Sequence, residues 1–478
     1  MTVTPAPGND NLYIDGQWTA ATAHIEVTDL AAGGTFARVA DATPADVEDA
    51  LAAAASARRA MRETTVVQRA EWMTTIGEEI ANKKERLAET IVREAGKPIS
   101  SARGEVDAAA ERFRRAAEEV RSLEGGYVEG TTDSHEGWRA IVRKEPVGPV
   151  LCITPYNYPL STTALQVAPA LAAGNPVLLK PATKTPVSGA ILAEIIVEAA
   201  PELPNGGFGF VPGRASDIGD QLAGDDRLAA IAMTGSSAAG KHVADTSGMV
   251  ELHMELGGNA PAVVFPDADI EDTAAAAAKG SLKFAGQRCS AVSRVLAHED
   301  VHDALIERID REMDDWQPGD LFDETTSLGP LVSAAQADWV MELIEDALDR
   351  GATLVRGGER NGRVVEPTLL ADVPTDARIV HEEQFGPVVA VTQFADEAEA
   401  LGVANGGDLG LDAAVFTANY DRAMRMADRL EAGAVRINGA PSHGLGDIPF
   451  GGVKDSGIGR EGIGYTIEAF VESKSIVL

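Results

Sequence analysis

The chain has 478 residues, 45% of them hydrophobic, more than one ordinary core organises, so two or three structural units are expected. A formal net charge of −33 argues against a nucleic-acid partner, because such a field repels phosphates instead of exchanging their counterions. Two cysteines make no disulfide framework, and neither a leader-like start nor an apolar run of about 20 residues is present, so a cytoplasmic protein with no membrane partner is expected.

Acidic residues are spread along the whole chain, and only 11 of the 41 basic residues are lysine. We read this as a solvated surface adapted to high salt, where screening over a few ångströms removes most self-repulsion. The alternative is an ordinary acidic soluble protein.

In chain order, the first third reads as largely helical. Thr43 before Pro44 predicts a capped helix over 44–62, and helical spacing continues over 66–94 and 101–123, stopping at Gly125-Gly126. From Ile141 the texture changes to short apolar strands, at 150–154, 176–180, 207–211, 229–233 and 260–265, with helical segments such as 185–199 between them. A second α/β run begins near Glu271, with strands near 294–297, 353–356, 388–393, 413–416 and 434–437. This alternation predicts an α/β fold with a doubly wound parallel sheet.

The one G-x-G-x-x-G, at Gly457, Gly459 and Gly462, follows a loop and leaves only sixteen residues after it. That is too few for a βαβ unit of about 30 residues, so we read it as a turn. Lys180 is a better candidate for cofactor contact, since it ends a buried-looking strand at the edge where ligands sit in parallel sheets. TGSSAAG at 234–240 follows a strand and opens a helix, offering backbone N–H groups to a pyrophosphate. Each of these segments is also what an ordinary turn looks like.

Three residues carry chemistry. Cys289, in GQRCS, has a glycine three residues before it and Arg288 adjacent, an environment expected to favour thiolate. Cys152, inside an apolar strand, reads as inert packing. Glu255 lies between Met254 and Leu256, costly company for a carboxylate without a task. Asn157 directly follows a strand, where its amide can face an oxyanion. No metal-ligand set is read from the sequence.

PYNYP, KPA, TGSSAAG, MELGG, GQRC, EEQFGPV and PFGGVKDSG occur in an order and spacing that resemble the aldehyde dehydrogenase superfamily, over residues 12–478. The resemblance implies an aldehyde dehydrogenase-like fold: a Rossmann-type dinucleotide-binding domain at 1–126 and 145–258, an α/β catalytic domain at 259–456, and a small β oligomerisation arm at 127–144 with 457–478. It implies Cys289 as nucleophile, Asn157 with the Cys289 N–H as oxyanion hole, and Glu255 as general base. It also implies NADP or NAD as cofactor, held by Thr154, Pro155, Lys180, Thr183, Lys184, Gly235, Ser236, Glu383 and Phe385. Glu255 favours hydrolysis of the thioester over transfer to coenzyme A.

Two departures stand out. Tyr156 replaces a common tryptophan, and Thr183 replaces the glutamate frequent in NAD-preferring members. Within the superfamily the chain most resembles non-phosphorylating glyceraldehyde-3-phosphate and lactaldehyde dehydrogenases. That branch implies a small polar aldehyde as substrate, namely glyceraldehyde 3-phosphate, lactaldehyde or glyceraldehyde, met by Arg121, Tyr158, Arg288 and His443. The alternatives are succinate semialdehyde as substrate, or a catalytically silent structural member. A homodimer or homotetramer is expected.

Overall fold

The computed structural model describes residues 10–442 and 446–478. The helix Pro44–Glu63 starts where its cap signal places it. Thr43 and Asp46 cap each other's backbone N–H groups in a closed box. The expected helix over 66–94 is two helices, Val66–Asn82 and Lys84–Ala95, because Lys83 leaves helical geometry at φ −97° and ψ 21°. The reading of the first third as helical also misses its opening. Strands Leu12–Ile14 and Gln17–Thr19 form one hairpin, and His24–Thr28 pairs with Thr35–Ala40 in another.

An eight-stranded sheet contains five parallel strands in the spatial order Phe208–Phe210, Val177–Lys180, Val150–Ile153, Ala230–Thr234, Glu251–Glu255. Chain order therefore reverses between Val150–Ile153 and Ala230–Thr234, and a doubly wound sheet opens its ligand crevice at such a reversal. These strands are buried almost throughout, which accounts for their continuous apolar runs. At one edge Gly457–Ile458 adds an antiparallel strand beside Met254 and Glu255. The G-x-G-x-x-G segment is thus part edge strand and part entry to the helix Ile463–Ala469, more than the simple turn expected.

A second sheet of seven strands runs from Thr353–Arg356 to Ala434–Ile437, parallel except at Thr353–Arg356, with Val292–His298 near its centre. A separate three-stranded antiparallel sheet joins Gly126–Glu129, Arg139–Pro146 and Val471–Val477. Its side chains Tyr127, Val128, Ile141 and Val477 are exposed. Among the described residues no helix is long and apolar enough to cross a membrane.

Candidate active site

A cavity of about 1090 Å³ opens at the chain reversal. One end lies between the helices Ala215–Ala223 and Ser237–Thr246, lined by Ser216, Gly219, His242 and Val243. Lys180, Gly235 and Ser236 form the middle. Glu383 and Phe385 lead to the far end, where Asn157, Tyr158, Glu255 and Cys289 converge.

The middle section suits an anion. Ser236 caps the helix Ser237–Thr246 with its own hydroxyl, and the helix begins in the cavity wall. The Ser237 hydroxyl is buried without a partner. The Lys180 ammonium is buried and, among the described residues, meets only the Pro181 carbonyl, at 3.4 Å; burial pulls it down to about 8. A buried cation, an unpaired hydroxyl and a helix N-terminus in one slot fit a dinucleotide phosphate. Thr154 and Pro155 line the slot as well. Thr183 and Lys184 do not. The Thr183 hydroxyl donates to the Gly213 carbonyl at 3.2 Å, and Lys184 reaches Ser333 Oγ at 3.3 Å across the face of Tyr156.

Glu383 is held facing the cavity by accepting the Gly258 N–H at 3.0 Å, and burial raises its carboxyl to about 7. Its loop is pinned by two further residues of the cavity wall. Trp339 Nε1 donates to the Glu383 carbonyl at 3.0 Å, and Gln336 Nε2 donates to the Gln384 carbonyl at 3.1 Å. Phe385 takes a left-handed φ of 47° and meets the Tyr156 ring edge-on.

The nucleophile loop is strained. Phe284 and Ala285 are both left-handed, at φ 56° and 50°, just before Gly286. A Cβ on Gly286 would overlap the Gly386 carbonyl, and one on Gly258 would overlap the Cys289 carbonyl. GQRC therefore packs backbone to backbone against both EEQFG and MELGG, which explains Gly286 and Gly258, while a Cβ on Gly386 would overlap the Val340 side chain. Residues held in such conformations cost free energy and persist where surrounding structure enforces them. Gln287 does part of that: its side chain accepts the Val332 N–H at 2.9 Å, while its carbonyl accepts Asn157 Nδ2, also at 2.9 Å. The second hydrogen on Asn157 Nδ2 remains for a ligand.

Glu255 ends the strand Glu251–Glu255, is buried, and stands within hydrogen-bonding reach of the Cys289 thiol. Burial, with Glu461 next, raises its carboxyl well above the usual range. Burial and the Glu255 charge likewise push the Cys289 thiol up. The expected thiolate-favouring effect of Arg288 is overridden. Its guanidinium turns back to the Gly280 carbonyl at 3.4 Å and Ser290 Oγ at 3.2 Å, whereas Glu255, Glu383 and Asp412 all act on the thiol. Cys152 is buried, as expected, and its thiol is raised by burial alone.

Of the substrate candidates, Tyr158 lines the cavity. Arg121 does not: it is exposed and folds back onto the Ala117 carbonyl at 2.9 Å. The arginine that approaches Tyr158 from that helix is Arg112, which donates to the Ser161 carbonyl and whose charge acts on the Tyr158 hydroxyl. His443 lies outside the described residues. Sequence reasoning also missed Glu461, which is buried, accepts from Thr234 at 3.5 Å and is raised to about 7 by burial.

Residues 18–476 match the profile of the Aldehyde dehydrogenase family. The chain belongs to that family. It is an oxidoreductase acting on aldehydes, with the family's α/β fold. A similar curated relative is the NADP-dependent glyceraldehyde-3-phosphate dehydrogenase of Streptococcus equinus, 36% identical over 467 residues, covering 97% of this chain and 98% of that one. Another is the 3-sulfolactaldehyde dehydrogenase of Priestia aryabhattai, 34% identical over 98% of this chain and 97% of the relative. Among solved structures, NADP-dependent glyceraldehyde-3-phosphate dehydrogenase from Bacillus halodurans C-125, complexed with NADP, superimposes with a TM-score of 0.95 at 34% identity, covering 98% of each chain.

Proposed function

We propose that this aldehyde dehydrogenase oxidises a short polar aldehyde to the free acid, the anionic glyceraldehyde 3-phosphate first, then the neutral lactaldehyde or glyceraldehyde, then succinate semialdehyde. One observation carries the substrate reading. Tyr158 lies at the Cys289 end of the cavity with Arg112 and Arg288 both close enough to act on its hydroxyl. An anion at that end meets the Tyr158 phenol and lies in the field of both guanidinium groups, neither of which lines the cavity. The relatives named for glyceraldehyde 3-phosphate and 3-sulfolactaldehyde, both aldehydes with an anionic terminus, support the same class.

A bound nicotinamide dinucleotide supplies the hydride acceptor, and Lys180, Ser236, Glu383 and Phe385 are the residues that would hold it. The relatives that use NADP support NADP as a cofactor accepted at least as well as NAD. Cys289 sulfur attacks the carbonyl carbon, and the oxyanion so formed takes hydrogen bonds from Asn157 Nδ2 and the Cys289 N–H. Loss of hydride leaves a thioester on Cys289. Glu255, buried and without a basic partner, is suited to take a proton from the water that releases the acid.

The three-stranded sheet, with its exposed Tyr127, Ile141 and Val477, is proposed as the surface through which the chain forms a homodimer or homotetramer. The decisive assay measures reduced cofactor formed by purified protein with a panel of small aldehydes and both dinucleotides. The expected order of kcat/KM places glyceraldehyde 3-phosphate first and hexanal last. A preference for hexanal contradicts the substrate reading.

A further inference from the structure

Lys97 is fully buried, and the proposed reaction has no use for it. It lies in the turn between the helices Lys84–Ala95 and Ile99–Glu119. A buried ammonium is costly unless paired, and here the pairing is specific. Lys97 Nζ forms a buried ion pair with Glu105. Glu105 spends its other oxygen on the N–H groups of Leu160 at 3.0 Å and Ser161 at 3.2 Å, which begin the helix behind Asn157 and Tyr158.

The same ammonium lies 3.4 Å from the centroid of the Tyr158 ring and 4.4 Å from that of Phe284. The two rings meet edge-on at 6.1 Å. Tyr158 follows the oxyanion donor Asn157. Phe284 is one of the two strained residues that lead into Cys289. A cation desolvated between two aromatic rings is attracted to both, and it draws together the segments that carry them.

We infer that Lys97 is a positioning residue, whose ammonium, anchored by Glu105 and clasped by Tyr158 and Phe284, holds the Asn157 loop against the Cys289 loop. The inference rests on the reading of Asn157 and Cys289 as oxyanion donor and nucleophile. Both loops contribute a donor to the oxyanion, so their separation sets the strength of that site. Lys97 touches neither the cofactor slot nor the deacylation base. Its removal therefore slows formation of the thioester without weakening cofactor binding.

The test replaces both partners at once, Lys97→Met with Glu105→Gln, so that no charge is left buried alone. The rate of the first turnover is read by rapid mixing, cofactor affinity by fluorescence titration, and folding by thermal unfolding. The expected double variant is folded, binds NADP within about twofold of wild type, and forms reduced cofactor about tenfold to a hundredfold more slowly, part of the cost of losing an oxyanion donor. A folded double variant with the wild-type first-turnover rate overturns the inference. Should that variant not fold, Phe284→Leu leaves the ion pair intact and removes one ring; slowed acylation is again expected, and an unchanged rate again overturns it. Asn157→Ala separates the two levels: if that variant acylates normally, the oxyanion reading fails, whatever Lys97 does.

Discussion

At the scale of single residues, the account depends on two groups that are hard to ionise. Cys289→Ala is expected to lower turnover by at least about three orders of magnitude, with stability within about 1 kcal/mol of wild type because little volume is lost. Substantial residual oxidation in that variant rules out the thioester route. Burial and the carboxylates beside them raise both Cys289 and Glu255, and the reaction needs both deprotonated. Protonation therefore inhibits, and the sign of the pH dependence follows. Turnover should rise with pH into the alkaline range, and a profile that falls as pH rises contradicts the assignment. Lys180 works in the opposite sense. It is charged below about 8 and loses its charge above that, so the Michaelis constants for NADP and NAD should both rise in alkali. Constants that stay flat across that range remove Lys180 from the phosphate slot. Asn157 and Glu255 were legible in the sequence because the first follows and the second ends an apolar strand, and Cys289 because of the glycine and arginine just before it. Lys97, Arg112 and Glu461 were not, because what defines them is burial against residues far away along the chain.

At the scale of elements, what was legible depended on whether the signal was local. The Thr43-Pro44 start was readable because the capping box is complete within four residues. The hairpins at 12–40 left a usable trace, since buried Ile25, Val27, Ala37 and Val39 alternate with exposed neighbours, but the strands are short. The break at Lys83 carries no proline or glycine to mark it in the sequence. Arg121 lies beyond the helix end at Glu119, in the short turn Val120–Ser122, and is exposed, whereas Arg112 lies within Ile99–Glu119 and donates to the Ser161 carbonyl. Arg112→Ala is accordingly expected to raise the Michaelis constant for glyceraldehyde 3-phosphate about tenfold or more and to change that for lactaldehyde little, whereas Arg121→Ala leaves both unchanged. Equal effects of Arg112→Ala on the two substrates would remove the anionic-end reading. The strand Val471–Val477 and its neighbour Arg139–Pro146 make a second element-level test. Ile141→Lys with Val477→Lys should shift the purified protein towards monomer in light scattering, and an unchanged mass places the subunit contact elsewhere.

The whole molecule carries a net charge of −33. At molar salt the screening length falls to about 3 Å, which removes most of the repulsion between surface carboxylates. Melting temperature and activity should both rise from dilute buffer into molar KCl. A melting temperature that is flat or falling over that range shows that the surface is not adapted to salt.

The two large sheets meet at one cavity, and the claim that unites them is that Glu255 releases, as free acid, what Cys289 has acylated. Rapid mixing of Glu255→Gln with aldehyde and NADP tests it most directly. The variant should give a burst of about one reduced cofactor per active site, followed by near-arrest as the thioester persists. A uniform slowing with no burst would contradict that claim.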